Sequence, residues 1–161
     1  ISWLTQKRTT VENEINALED HQPLSTAVLF SLNPLTLAGA NTFIDELISL
    51  SGGSNISKDS SSHTPTLSPE ALLQKQPEVI LISAEAANAD DIKELTRDPI
   101  WSQLSAFKNN RVYLVDGDNL KIPGPRQVFT LEQIAAALHP TIFTPPHQLK
   151  QVNTRPEPQR P

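Results

Sequence analysis

Few side chains in this sequence could do chemistry, and they are widely spaced. The 161 residues include no cysteine and four histidines, at positions 21, 63, 139 and 147, without the short spacing of a metal-ligand set. No Gly-x-Ser-x-Gly, glycine-rich phosphate loop or His-Glu-x-x-His motif occurs. The pair Asp90 and Asp91 falls at a predicted helix start, where carboxylates interact favourably with the helix dipole. These residue types indicate a protein that binds rather than catalyses, and no cofactor is expected.

The composition excludes some classes of binding partner and indicates which residue types form the core. The net charge is −5 with no basic cluster, which argues against nucleic acid or an anionic membrane surface as a partner. No apolar run approaches the ~20 residues that cross a bilayer. Aromatic residues make up 5% of the chain, so the core must be built mostly from Leu, Ile, Val and Ala. Because the chain opens at Ile1 inside a helical pattern and contains no Met, we expect a fragment whose preceding segment was removed.

Strand and helix patterns alternate through the middle of the chain. Apolar runs predict strands buried on both faces at residues 26–32 and 79–83, and residues 111–115 predict a third strand. Apolar residues at helical spacing predict helices at residues 1–20, 41–51, 68–76, 89–96 and 129–138, with a short further helix after Asp98-Pro99. The Ser/Thr-rich residues 57–67 predict a loop, and the proline-rich residues 141–161 predict a disordered tail.

This alternation predicts an α/β fold, a three-layer α/β/α sandwich with a mostly parallel open sheet. Ligands of such sheets bind outside the carboxyl ends of the strands, which places three loops, starting at Asn33, Ala84 and Asp116, at the expected site. The candidate ligand contacts on these loops are Asn33, Pro34 and Leu35 in the first, Glu85 in the second, and Asn119 and Lys121 in the third. The alternative for the first loop is a plain connector.

Four segments in order resemble the helix-linked (class III) periplasmic binding proteins of the vitamin B12 and iron-siderophore type. They are LNPLTLAGANTFIDELISLSGGSN at residues 32–55, LSPE with the later PEVILI, D-P-x-W with L-x-A-F-K-N-x-R-V-Y-L-V-D at residues 98–116, and IPGPR with the later LHP. The resemblance implies a C-terminal lobe. Residues 1–22 would be the end of the lobe-connecting helix, residues 23–140 the ligand-binding lobe, and residues 141–161 the tail.

The resemblance also implies a function and partners. The complete protein would hold its ligand between two lobes, in the periplasm or lipid-anchored at the outer face of the cytoplasmic membrane, and deliver it to an ABC importer. Glu70 would be the carboxylate that docks on the permease; its alternative is an ordinary first-turn acid. The missing N-terminal lobe would complete the cleft, so we expect this lobe alone to bind weakly or not at all, or to pair with a second copy as a homodimer.

The ligand is predicted from single positions of the resemblance. Asp118 matches a cleft position that contacts the ligand in B12 binders, and Thr64 stands where those proteins can present an aromatic residue. Ile122 replaces the first Arg of the common Arg-Pro-Gly-Pro-Arg motif, which removes a cationic contact. A neutral corrinoid is therefore the preferred ligand, a ferric siderophore the second and haem the third. On this basis the cleft face lacks an aromatic side chain.

For some of these residues the sequence allows alternative interpretations. His63 lies in the polar loop before Glu70, where it is either a haem or metal ligand or a solvated loop histidine. Arg126 either contacts ligand or ties the start of the last helix to nearby carbonyls or carboxylates. The Asn55-Ile56-Ser57 triplet matches a glycosylation sequon. For the whole chain, the alternatives are a protein-interaction module without a small ligand and a nucleotide enzyme. A nucleotide-binding enzyme would need glycines at the first strand-to-helix turn, where this sequence has Asn33-Pro34-Leu35.

Overall fold

The computed structural model describes residues 2–18, 22–121, 124, 127–143 and 149–155, with the backbone alone for residues 2–4, 119 and 121. The strands are β1 (Leu24–Leu32), β2 (Leu35–Leu37), β3 (Gly53–Asn55), β4 (Val79–Ser83), β5 (Val112–Val115) and β6 (Lys150–Val152). The helices are α1 (Ser2–Asn16), α2 (Phe43–Leu50), α3 (Pro69–Lys75), α4 (Ala89–Leu95), α5 (Ser105–Lys108), α6 (Gly117–Lys121) and α7 (Gln127–Leu138), with a 3-10 turn at Trp101–Gln103.

One sheet forms the middle layer, in the order β2-β1-β4-β5-β6, and β3 also pairs with β1. β1, β4, β5 and β3 run parallel, whereas β2 and β6 are antiparallel additions beside β1 and β5. The parallel centre follows from the βαβ order, because a crossover helix returns the chain to the same edge of the sheet. The predicted α/β/α sandwich with a mostly parallel open sheet is confirmed.

Alternate side chains of each central strand enter opposite cores, as the pleat of a strand requires. In β4, Val79 and Leu81 join the cluster under α1, α2 and α7, while Ile80 and Ile82 join the cluster under α3, α4 and α5. All four side chains are fully buried. This two-sided burial explains why the strands appear in the sequence as continuous apolar runs rather than alternating ones.

Three of the helices, α2, α3 and α4, begin at side-chain caps that the sequence supplies. Thr42 accepts a hydrogen bond from the Asp45 amide at the start of α2, and Ser68 accepts one from the Ala71 amide at the start of α3. Asn88 and Asp91 form a reciprocal capping box on α4. These caps fix the ends of the helices that face the carboxyl edge of the sheet.

The short elements that were not predicted include β3, which pairs with β1 after the Gly52-Gly53 turn, as well as β2 and α6. β2 turns residues 35–37 into a strand where a loop was expected, and it pairs antiparallel with the end of β1. α6 occupies the start of the expected loop after β5. All three are shorter than six residues, so none contains enough residues to show a hydrophobic period.

The prediction of a disordered tail over residues 141–161 is wrong for residues 149–155. β6 pairs with β5 there, and Leu149 and Val152 are buried in opposite cores. Thr154 Oγ1 donates a hydrogen bond of 2.7 Å to the Phe107 carbonyl. The rest of that segment from residue 144 lies outside the described residues. Proline-rich composition predicted disorder, but three residues that complete a sheet edge are sufficient to order this stretch.

Candidate functional site

The carboxyl ends of β1, β4 and β5 meet at one edge of the sheet, and two pockets open there. The larger, here called the apolar pocket, has a volume of about 570 Å³. The smaller, here called the polar pocket, has a volume of about 420 Å³. α6 contributes Leu120 to the apolar pocket and Gly117 to the polar pocket, so this short helix stands between them.

The apolar pocket is lined by two phenylalanines, two aliphatic side chains and a few polar groups. Its lining residues are Phe30, Asn41, Thr42, Phe43, Ile44, His63, Thr64 and Leu120. Phe30 and Phe43 pack their inner edges on the core beneath and remain partly exposed to the pocket. An aromatic, mostly apolar concave surface with a few polar groups at its rim suits one face of a large flat ligand.

The floor of the apolar pocket is fixed by the turn into α2. Asn41 adopts a left-handed backbone with φ of 59°, which asparagine tolerates better than most residues, and its amide donates to Asp45 Oδ2. Asn55 is buried and donates from Nδ2 to Asp45 Oδ1 and to the Ala38 carbonyl. This burial makes Asn55 a structural residue, and the sequon reading of that triplet is wrong.

The wall of the pocket is the loop at residues 57–67, which is held against the strand after the β1–β2 turn. Leu37 and Gly39 amides donate to the Pro65 and His63 carbonyls, at 3.0 and 2.8 Å. A Cβ atom at Gly39 would collide with the Ser62 carbonyl oxygen, so only glycine allows this approach. The loop therefore presents His63 and Thr64 to the pocket from a fixed backbone.

The polar pocket lies beyond the ends of β4 and β5. It is lined by Ala84, Glu85, Leu114, Val115, Asp116, Gly117 and Lys150. The Ser83 hydroxyl accepts a 3.3 Å hydrogen bond from the Glu85 amide, and Asp116 Oδ1 accepts a 3.0 Å hydrogen bond from the Asp118 amide. A Cβ atom at Gly117 would come within 2.8 Å of the Ser83 hydroxyl and the Glu85 side chain, so a larger residue where α6 begins would have to displace these side chains. The polar pocket is therefore bordered by the carboxylates of Glu85 and Asp116 and by the ammonium group of Lys150.

Several predicted contacts lie at these pockets. Thr64 lines the apolar pocket and Glu85 lines the polar one. Asp118 is exposed on α6, whose backbone also carries Asn119 and Lys121. The side chains of Asn119 and Lys121 lie outside the described part of the chain, as do Ile122 and Arg126. Ligand binding by these residues stays a prediction.

The first predicted loop contributes less than expected. Leu35 is 3% exposed and belongs to the core beneath α3, α4 and α5, so its prediction as a ligand contact is wrong. Asn33 and Pro34 are exposed at the turn between β1 and β2, away from the lining of either pocket. The structural reason is β2, whose pairing with β1 turns Leu35 inwards.

The expectation that this face lacks an aromatic side chain is also wrong. Phe30 and Phe43 supply aromatic surface from β1 and the first turn of α2, at positions that differ from Thr64. In the sequence Phe43 falls on the apolar stripe of α2 and Phe30 inside an apolar strand, and both therefore resemble core residues. The only signal of exposure was position, since Phe30 lies near the carboxyl end of β1 and Phe43 lies at the amino end of α2, both at the carboxyl edge of the sheet.

Glu70 is exposed in the first turn of α3, as predicted. The other end of α3 lies at the start of β1, where the Ser25 hydroxyl donates to the Gln76 carbonyl. Glu70 is therefore at the end of the sheet that carries both pockets, but on the opposite helical layer from α2. The carboxylate is free of the ligand pockets and faces solvent.

The described residues contain no group of three or more His, Cys, Asp or Glu side chains that could hold a metal ion. Trp101 is buried in the core, as its amphipathic helix predicted. None of the helices in the described ranges is long and apolar enough to cross a bilayer.

Comparison with known proteins assigns this architecture to a family. The family model described as periplasmic binding protein matches residues 6–119, more than half of the chain. The chain belongs to the periplasmic binding protein family. The vitamin B12-binding protein of Vibrio cholerae is 31% identical over 122 residues, 73% of this chain and 41% of that protein. The cobalamin-binding protein of Halobacterium salinarum is 28% identical over 130 residues, 78% of this chain and 35% of that protein.

The fold likeness is equally clear. The crystal structure of the periplasmic vitamin B12 binding protein of Vibrio cholerae superposes with a TM-score of 0.67 at 28% identity, covering 83% of this chain and 50% of that one. The resemblance to B12 and siderophore binding proteins inferred from the sequence is confirmed. The chain spans less than half the length of the curated relatives it matches.

Proposed function

We propose that this chain is the C-terminal lobe of a solute-binding protein that holds a corrinoid and delivers it to an ABC importer. The observation that carries the proposal is the apolar pocket of about 570 Å³ at the carboxyl edge, with Phe30 and Phe43 in its lining. The similarity to vitamin B12-binding and cobalamin-binding proteins supports a corrinoid as the cargo. The cargo would leave the lobe chemically unaltered.

The two pockets suit different parts of a corrinoid. The Phe30 and Phe43 rings offer apolar surface to the flat macrocycle. The peripheral amide groups of the ligand can donate to carboxylates, which Glu85 and Asp116 place in the polar pocket and Asp118 places nearby on α6. A largely apolar surface with a few polar contacts is the usual way a neutral ligand of this size is bound.

Because both pockets are open towards solvent at one edge, this lobe contributes half of a cleft, and we expect it to bind weakly. Most ligand surface would remain in water without a second lobe, which limits the apolar area removed from solvent. Equilibrium dialysis of the chain with cyanocobalamin and with ferrichrome tests the assignment. The proposal predicts weak retention of cyanocobalamin and less of ferrichrome. Preference for ferrichrome would replace the corrinoid with a ferric siderophore, and micromolar or tighter affinity would contradict the half-cleft.

The proposed docking carboxylate is Glu70. It is exposed at the pocket end of the molecule yet outside both pockets, so a permease could contact it while ligand is bound. A single exposed carboxylate steers and orients an encounter with a cationic pocket more than it adds affinity. The second docking point would come from the missing N-terminal lobe.

A further inference from the structure

His63 lines the apolar pocket with an imidazole ring, and apolar packing does not explain a ring of this kind there. Its ring Nδ1 lies 3.2 Å from the carbonyl oxygen of Ala40, in the turn that precedes α2. Its backbone carbonyl accepts from the Gly39 amide, so the ring and the backbone are both tied to the same stretch of chain. The side chain remains exposed to the pocket.

The partner of Nδ1 decides which nitrogen is available. A carbonyl oxygen only accepts, so Nδ1 must carry the proton in this hydrogen bond. In the neutral ring Nε2 then carries the lone pair, and it lies on the side of the imidazole away from Ala40. Among the described residues nothing is hydrogen-bonded to Nε2. A histidine whose Nδ1–H is held by a backbone carbonyl, with Nε2 unengaged, has the arrangement that metal-ligating histidines show.

We propose that His63 Nε2 coordinates the metal of the bound cargo, as an axial ligand to the cobalt of a corrinoid held flat against Phe30 and Phe43. This inference rests on the proposed function. The step is a ligand exchange on Co(III): the water on the exposed face leaves, the Nε2 lone pair takes its position, and no electron is transferred. A lone histidine is sufficient because the corrin ring supplies the equatorial ligands of cobalt and the nucleotide base of the corrinoid supplies the opposite axial one.

This coordination separates two corrinoids that have the same ring and the same amides. Aquocobalamin carries an exchangeable water on cobalt, whereas cyanocobalamin carries a firmly bound cyanide in that position. Apolar contacts and amide hydrogen bonds should serve both alike. Only the ligand with the exchangeable position should gain the bond to Nε2, so aquocobalamin should bind more tightly and change its visible absorption spectrum.

The experiment is a pair of titrations of the full chain at pH 7, one with aquocobalamin and one with cyanocobalamin, followed by visible absorption and by equilibrium dialysis. We expect a saturable one-to-one spectral change with aquocobalamin and none with cyanocobalamin. His63→Ala should abolish the change and weaken aquocobalamin by about tenfold, the usual scale for a lost metal-site interaction, while leaving cyanocobalamin unaffected. His147→Ala and His21→Ala serve as matched histidine controls and should retain the change.

A further variant separates a pocket ligand from a surface imidazole. Thr64→Arg places bulk and positive charge in the exposed rim of the apolar pocket without touching the core, so it should fold and should weaken the spectral titration. An unchanged titration in Thr64→Arg, or loss of the change in a control histidine variant instead of His63→Ala, overturns the inference. Equal binding of both corrinoids without a spectral change overturns it and leaves the proposed function standing. Binding of neither corrinoid overturns both.

Discussion

Phe43 is the pocket residue whose removal should most directly reduce ligand binding. A fully buried Phe contributes about 1.5–3 kcal/mol through apolar area, and Phe43 can give only part of that to a ligand because its inner edge already packs on the core. We therefore expect Phe43→Ala to weaken cyanocobalamin binding by ~1 kcal/mol or more, measured by equilibrium dialysis.

Phe129 provides the matched control for Phe43. It is the same residue type, 49% exposed on α7 and outside the lining of the apolar pocket. Phe129→Ala should leave corrinoid binding unchanged. If both substitutions weakened binding equally, the loss would reflect a general change in the protein rather than the pocket.

Tyr113 makes stability depend on pH in alkaline solution. Burial raises the pKa of the Tyr113 phenol above its ordinary value of 10.0, while the nearby Arg111 guanidinium opposes that rise. Above pH 10 the unfolded phenol therefore loses its proton more readily than the folded one, and the free energy of unfolding falls as pH rises. Below pH 10 both states hold the proton and this dependence vanishes.

Tyr113→Phe tests that linkage. The variant removes the ionisable group but keeps the ring in the core, so its free energy of unfolding should fall less steeply between pH 9.5 and 11 than that of the parent. Urea denaturation at several pH values measures the two slopes. Identical slopes would contradict a raised pKa at this position.

Among the elements, β6 is expected to contribute measurably to the stability of the fold. Leu149 and Val152 bury apolar side chains in opposite cores, and Thr154 hydrogen-bonds to the Phe107 carbonyl. Ending the chain after residue 148 should lower the free energy of unfolding by about 2–4 kcal/mol, since each buried aliphatic side chain contributes roughly 1.5–3 kcal/mol less the entropy of ordering the strand.

A chain ending at Arg155 is the matched control for that truncation. It keeps β6 and every contact named for it, so its urea midpoint should stay close to that of the parent. An unchanged midpoint in the shorter chain would mean that the β6 pairing contributes nothing, as the composition of residues 141–161 had predicted.

The elements also show where sequence pattern was sufficient and where it was not. β1, β4 and β5 are continuous apolar runs because both faces are covered, and such runs are visible in one sequence. β2 and β6 have three residues each and exist only because a neighbouring strand pairs with them. The paired strands are far apart in the sequence or too short, so no local periodicity predicts the pairing.

The same difference applies to the candidate site. The predicted topology placed the loops that follow β1, β4 and β5 at the carboxyl edge of the sheet, where the structure has them, since strand order and crossover handedness follow from general rules. Which side chains face the pocket depends on tertiary packing. Leu35 turns into the core with β2, whereas Phe30 and Phe43 remain partly exposed although their patterns resembled those of core residues.

For the whole molecule, the proposed docking role of Glu70 can be tested separately from ligand binding. Charge reversal in Glu70→Lys should weaken association with a matching ABC permease in lipid nanodiscs by about tenfold at low salt, and less at high salt, because exposed charges are screened. Glu94→Lys, on the exposed face of α4, is the control charge reversal. Equal losses for the two variants would indicate an effect of net charge alone.

The proposed function depends above all on the binding of a corrinoid at the apolar pocket. The most direct measurement is a titration of the isotope-labelled chain with cyanocobalamin, followed by amide chemical shifts in two-dimensional NMR. Binding there predicts fast-exchange shifts concentrated at Phe30, residues 41–44, residues 63–64 and Leu120, with smaller shifts at residues 84–85 and 116–118 around the polar pocket and none in α5. Shifts centred elsewhere on the molecule, or none at millimolar ligand, would contradict it.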